Sequence, residues 1–132
     1  MRKKTHPTKA LFYLASPYTH PSERVRKRRA VDVTKAAINL LRLGVYVFAP
    51  IAYNEPWKRF NVPGDWAFWA DFDKCFVDHC EALVVMKLKG WDISVGVTAE
   101  IEHAKMRGKK VYYMEPGGEV ALFEQLKKEQ LV

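Results

Sequence analysis

Four short, mostly apolar runs constrain this chain more than anything else in it: 10–15 (A-L-F-Y-L-A), 45–48 (V-Y-V-F), 83–86 (L-V-V-M) and 110–114 (K-V-Y-Y-M). Each is too short for a buried helix and nearly continuous in apolar character, as in parallel strands covered on both faces. Helical patterns separate them. Ser22 is a suitable N-cap with Glu23 in the first turn, and Val33, Ala37, Leu40 and Leu41 recur at helical spacing until Gly44 stops the helix. Asp65 or Asp71 opens a second helix running to about Cys80, and a third spans 97–107. After the turn Pro116-Gly117-Gly118, residues 119–129 form an amphipathic closing helix with Leu122, Phe123 and Leu126 inward.

Strands alternating with helices predict an α/β protein with a mainly parallel sheet and right-handed crossovers. The expected architecture is a three-layer, doubly wound, flavodoxin- or Rossmann-like fold, with four to five strands in the order 2-1-3-4-5. A length of 132 residues suits one domain over 9–132, preceded by a basic tail over 1–8. Sites in such sheets lie beyond the C-terminal strand ends. The loops over 16–22, 49–64 and 87–96 all start there, and the second, with three prolines, is long for a compact domain.

No apolar run approaches a bilayer span, and the basic start lacks a signal-peptide core, so a cytoplasmic protein without a membrane partner is expected. Its two cysteines, Cys75 and Cys80, are then reduced thiols. The formal charge of +7, concentrated in 2–4 and 24–29, favours phosphorylated partners; a solvated helix face is the plain alternative.

The segment 90–104 (G-W-D-I-S-V-G-V-T-A-E-I-E-H-A) carries the chemistry. A strand, a small-residue turn and a helix start bring backbone N–H groups to one point, which suits an anion. Gly96 leaves room for a ligand against the backbone, and Ser94 either donates to a phosphate or caps the helix. Glu100 falls in the first turns, where the dipole favours a carboxylate. With Asp73 on the preceding helix, it supplies a nucleophile and a helper for retaining glycosyl transfer. The plain reading is a helix-start acid and an exposed helix acid. Asp92 binds a sugar hydroxyl or, in its commoner role, caps its own turn. Aromatic residues crowd 57–72, and Trp57 and Trp66 are the candidates for a ligand-facing lid; packing is the alternative. Cys75, His79 and Cys80 lack a second pair at zinc-site spacing, so neither a metal nor a cofactor is expected. His103 reads as a surface or interface residue.

Four segments in order resemble the nucleoside 2-deoxyribosyltransferase-like superfamily: 13–18 (Y-L-A-S-P-Y), 80–85 (C-E-A-L-V-V), 94–101 (S-V-G-V-T-A-E-I) with Ala104, and 109–111 (K-K-V). The likeness runs from about Lys9 to Met114. It is closest to a phage-associated branch with the pattern Y-L-A-S-P-Y-T-H-P … W-D-x-S-x-G-V, near the 2'-deoxynucleoside 5'-monophosphate N-glycosidases. The resemblance implies that Glu100 is the nucleophile, that Asp73 assists, that Tyr13 neighbours the sugar, and that Ser16 and Ser94 contact substrate. Nucleoside-specific members have Asp where this chain has Ser94; the nucleotide hydrolases have Ser there, on the 5'-phosphate.

The first loop departs from those hydrolases, lacking their glycine and arginine, so Arg24 or Arg28 is expected to serve the phosphate. Glu102 occupies the position of a usual glycine. The resemblance also implies a homodimer or higher homo-oligomer. The function expected is hydrolysis or transfer at the N-glycosidic bond of a (deoxy)nucleoside 5'-monophosphate. The alternatives are an inactive nucleotide-binding or sensing module and, less favoured, a basic nucleic-acid-binding accessory protein.

Overall fold

Alternating side chains along each buried strand determine the layers of this protein. The computed structural model describes residues 9–132; the expected basic tail over 1–8 lies outside the described residues. Strands β1 (Leu11–Ala15), β2 (Tyr46–Phe48), β3 (Ala82–Met86) and β4 (Val111–Met114) form one parallel sheet in the order β2-β1-β3-β4. Helix α1 (Glu23–Leu43) connects β1 to β2, α3 (Trp66–His79) leads into β3, α4 (Val95–Met106) joins β3 to β4, and α5 (Glu119–Lys128) closes the chain. The described sheet stops at four strands because the chain after β4 turns through Gly117 and Gly118 into α5.

Phe12, Leu14, Val84 and Met86 point to one face and pack with Val33 and Leu40 of α1 and Leu122 and Leu126 of α5. Their neighbours Tyr13, Ala15, Leu83 and Val85 point to the other, with Val77 of α3 and Val97 and Ala104 of α4. This period of two separates helices into two layers around a doubly wound sheet. Strand order reverses at β1, which pairs with both β2 and β3, so a crevice opens beyond their C-terminal ends.

Ser22 caps α1 as its sequence suggests, its Oγ accepting from the Val25 N–H at 3.3 Å. Gly44 ends the helix, its N–H on the Leu41 carbonyl at 2.9 Å while Val45 N–H reaches Leu40 at 2.8 Å. The inward stripe is Ala30, Val33, Ala36 and Leu40. Leu41, expected inward, is 59% exposed because it lies about 100° round the helix from Leu40.

The connection after β2 also differs from expectation. It is short helix α2 (Pro50–Asn54) followed by a 3-10 turn over Glu55–Phe60. Pro50 and Pro56 occupy first-turn positions, where the missing N–H costs nothing and the fixed φ suits a helix. Proline there starts structure where a loop reading takes it to interrupt one. No described helix is long and apolar enough to cross a membrane.

Candidate functional site

Tyr13 lies on the β1 face that looks toward α4, and there it meets Glu100. The tyrosine hydroxyl donates a hydrogen bond to Glu100 Oε2. Glu100 is the sixth residue of α4, deeper than the first turn, and is 5% exposed. Asp73 on α3, 7% exposed, faces the same pair. These three groups come from three elements, brought together by the packing of α3 and α4 on β1 and β3.

A cavity of about 540 Å³ sits over them, beyond the strand ends. Glu100 and Asp73 line it, with Ser16 from the loop after β1, Ser94 and Gly96 from the start of α4, and Trp66 and Trp69 from α3. Tyr13, fully buried, is not part of the lining, so the expectation that it neighbours the sugar is corrected: it reaches the cavity only through Glu100.

Burial sets the protonation of this floor. It pushes Glu100 well above the usual carboxylate range; the Tyr13 hydrogen bond opposes the shift and the adjacent Asp73 charge adds to it. Burial also raises Asp73, to about 6, with the neighbouring Glu100 and Tyr13 side chains opposing the shift. Burial, then the charges of Glu100 and Asp73, push the Tyr13 hydroxyl up well above its usual range, so it stays a donor. Two neighbouring desolvated carboxyls titrate as a pair, and burial favours the protonated form of each. Asp73 Oδ1 has no hydrogen-bond partner.

Ser94 is the N-cap of α4; its Oγ accepts from the Val97 N–H at 3.2 Å. Its structural role is filled, and it still lines the cavity. Gly96 lines it too, but the close neighbour across its backbone is the Trp66 ring, at 3.4 Å from where a Cβ would stand. The room at Gly96 is used by Trp66.

Other expected contacts lie elsewhere. Arg24 and Arg28 are exposed and outside the cavity lining; Arg28 Nε pairs with Asp32 at 3.3 Å on the outer face of α1. One position round the helix, Arg29 reaches the cavity instead. Its Nη1 donates to the Thr19 carbonyl at 2.9 Å and the Tyr18 carbonyl at 3.3 Å, and its Nη2 to the Lys89 carbonyl at 2.9 Å. It thus ties the first loop to the loop after β3. Gly90 makes the space: its φ is +95°, and a Cβ there would stand 2.7 Å from Arg29 Nη2.

Asp92 is exposed and does not line the cavity, because the 3-10 turn Trp91–Ile93 points it to solvent. Trp57 is absent from the lining as well. It packs into an aromatic cluster with Tyr53, Trp69 and Phe72 at centroid distances of 5.3, 6.0 and 6.4 Å. Only Trp66 of the expected pair faces the cavity, with Trp69 taking the second place. His103, expected at the surface, is buried and bonds Asp78 at 2.7 Å, which also holds Arg107 at 3.0 Å, pinning α4 to α3.

Asn54, Lys58 and His20 line the cavity without having been expected there. Asn54 Nδ2 is buried without a partner. Lys58 Nζ donates to the Tyr18 hydroxyl and lies 4.7 Å from that ring's centroid. Among the described residues neither Arg29 nor Lys58 has a carboxylate within ion-pair distance. A longer connection containing helix α2 is the one sequence signal that pointed at Asn54 and Lys58; Arg29 was hidden in a run of similar residues.

The model of the family described as "Domain of unknown function (DUF1937)" matches residues 10–116. The chain belongs to the DUF1937 family. A search of curated proteins finds no match. The matched stretch runs from β1 past β4, so the cavity of this DUF1937 domain lies entirely within it, and only α5 falls outside.

Proposed function

We propose that this DUF1937 domain breaks the N-glycosidic bond of a nucleoside 5'-monophosphate, by hydrolysis or by transfer of the sugar, with Glu100 as the nucleophile. The observation that carries the reading is the buried Tyr13–Glu100–Asp73 group at the floor of the cavity. The sequence resemblance supports the same assignment of roles.

One shared proton is enough to run the reaction. In the reactive arrangement Asp73 holds it, and Glu100 is ionised with the Tyr13 hydroxyl donating to it. A Glu100 oxygen forms a bond to C1', the C1'–N bond breaks, and its electron pair leaves on the base nitrogen. Asp73 gives its proton to the departing base. A glycosyl ester on Glu100 remains. Water then attacks C1', passing a proton to Asp73, and the ester C–O bond breaks to restore the Glu100 carboxylate. If a second base replaces the water, the outcome is transfer.

Ser94 at the start of α4 is suited to the phosphate, and Trp66 and Trp69 to the flat base. Ile93 and Val95, on the cavity wall, are 83% and 70% exposed, which supports a homo-oligomer in which a second copy covers that wall. Size-exclusion chromatography with light scattering tests that part.

Free base released from a panel of nucleoside 5'-monophosphates, measured by chromatography, tests the main reading. Release by the native chain and none by Glu100→Gln is expected. No release from any nucleotide overturns it. A second reading, binding without turnover, is favoured by the burial that raises Glu100 and so disfavours its ionised, nucleophilic form. Calorimetric binding of a nucleotide that is never cleaved would select it.

A further inference from the structure

Helix α1 carries most of the surplus charge of this chain. Seven Arg and Lys side chains stand on it against Glu23 and Asp32. Two of the seven serve the fold beside the cavity. Arg29 ties the two loops together, and Arg26 Nη1 donates to the Pro21 carbonyl at 3.2 Å and to the His20 carbonyl. The other five, Arg24, Lys27, Arg28, Lys35 and Arg42, are exposed.

Four of these five form a line. At about 100° per residue, the steps of four and seven residues from Arg24 to Arg28, Lys35 and Arg42 keep them within about 40° of one another, along about 27 Å of helix. Val33 and Leu40, packed in the core, lie on the opposite side, so the line faces solvent. Among the described residues Arg24, Lys35 and Arg42 have no ion pair, and Arg28 stays 77% exposed beside Asp32. None of the four lines the cavity.

This placement works against the helix itself. Arg24 stands in the first turn, where the dipole favours acids, and four residues before a second arginine, where like charges repel. Helix α5 has the favourable order, with Glu119 and Glu124 ahead of Lys127 and Lys128. A line of one sign does nothing for the stability of α1, but it complements a polyanion. A nucleic-acid duplex presents one negative charge per about 1.7 Å of its axis, so a straight row of cations meets phosphates whatever the sequence. Helix α1 has no aromatic residue and so lacks the stacking platforms that hold unpaired bases. Its main apolar side is buried in the core, and Val31 and Ile38, the exposed aliphatic groups beside the line, are too few to enter a lipid surface.

We infer that the outer face of α1 docks on the phosphate backbone of a nucleic-acid duplex without reading its sequence. The face is separate from the cavity, and its test needs no turnover. Fluorescence anisotropy with a labelled duplex of ~20 base pairs, longer than the line of cations, measures binding by the full chain to DNA and to RNA. Binding of either at about 50 mM salt is expected, weakening roughly 100-fold by about 200 mM as some four phosphate contacts release their counterions. Arg24→Glu with Lys35→Glu is expected to weaken binding by at least ~30-fold. Lys105→Glu with Lys128→Glu, exposed cations on α4 and α5, makes the same change of net charge and is expected to stay within about fivefold of the native chain. Both pairs should melt close to the native chain, and the salt dependence of the native chain reads the contact without any variant. No binding of either duplex at low salt, affinity that ignores salt, equal losses in the two pairs, or tighter binding to phosphatidylserine–phosphatidylcholine vesicles or to the matching single strand overturns the assignment.

Discussion

The Tyr13 hydroxyl and the Glu100 carboxylate, 87 residues apart in the chain, form a buried hydrogen bond beneath the cavity. Tyr13 has no exposure of its own, so its effect on a ligand passes through Glu100. The bond favours the ionised carboxylate, against the burial that raises it. Tyr13→Phe removes that support and leaves the ring packing intact. Hydrogen bonds to charged groups contribute about 1.5–3 kcal/mol, so turnover is expected to fall by roughly 10- to 100-fold. The acidic limb of the pH–rate profile should also move to higher pH, since Glu100 then holds its proton longer. A profile that keeps its position while the rate falls would assign Tyr13 to packing alone.

Asp73 has a consequence for stability. Burial raises it from an ordinary 3.8 to about 6 in the folded chain. Below pH 3.8 the carboxyl is protonated in both states and contributes no pH dependence. Between 3.8 and 6 the unfolded chain gives up its proton first, so the folded state loses stability as pH rises. Above 6 the full penalty, on the order of 3 kcal/mol, is present. Glu100, raised by the same cause, acts in the same direction. Asp73→Asn is therefore expected to melt higher than the native chain at pH 8 and close to it at pH 4, while losing turnover. Thermal melts across that range check it, and a variant less stable than the native chain at pH 8 contradicts it.

Sheet, layers and the carboxyl pair were legible because local pattern and global fold agree. Short apolar runs can only be covered strands, and Glu100 follows its strand and turn at readable spacing. Side-chain direction was less legible. Arg28 and Arg29 are adjacent in sequence, and only their places on α1 decide that one meets solvent and the other the cavity. Trp57 and Trp69 exchange roles for a similar reason: aromatic density is visible in a sequence, whereas the face each ring presents depends on how the 3-10 turn over Glu55–Phe60 meets α3. Asp92 is turned outward by a 3-10 turn too short to leave a periodic signal.

Arg29 and its neighbour give a paired prediction. Arg28 makes one exposed ion pair on the outer face, of a kind that contributes at most about 1 kcal/mol. Arg28→Ala should leave turnover and melting temperature nearly as they were. Arg29→Ala severs bonds to the Tyr18, Thr19 and Lys89 carbonyls, and is expected to raise KM by at least ~10-fold as the two loops come apart. Gly90→Ala should reproduce that loss, since its Cβ would collide with Arg29 and its φ of +95° is strained for alanine. Equal kinetics in the Arg28 and Arg29 variants would remove the staple from the account.

Ser94 carries two roles that substitution can separate. As N-cap of α4 it accepts from the Val97 N–H, and replacing such a cap with alanine costs about 1 kcal/mol. Aspartate caps as well as serine does, and its charge suits the positive end of the helix. Ser94→Asp should therefore melt near the native chain, whereas Ser94→Ala melts lower. Toward a ligand the order changes. A carboxylate facing the cavity repels a phosphate, so Ser94→Asp should lower kcat/KM for a nucleoside 5'-monophosphate by at least ~10-fold and spare the matching nucleoside. The ratio of the two substrates, taken beside the melting temperatures, distinguishes a phosphate contact from a cap. If both substrates lose equally in Ser94→Asp while the fold is retained, Ser94 serves the helix alone and the phosphate is held elsewhere on the cavity wall.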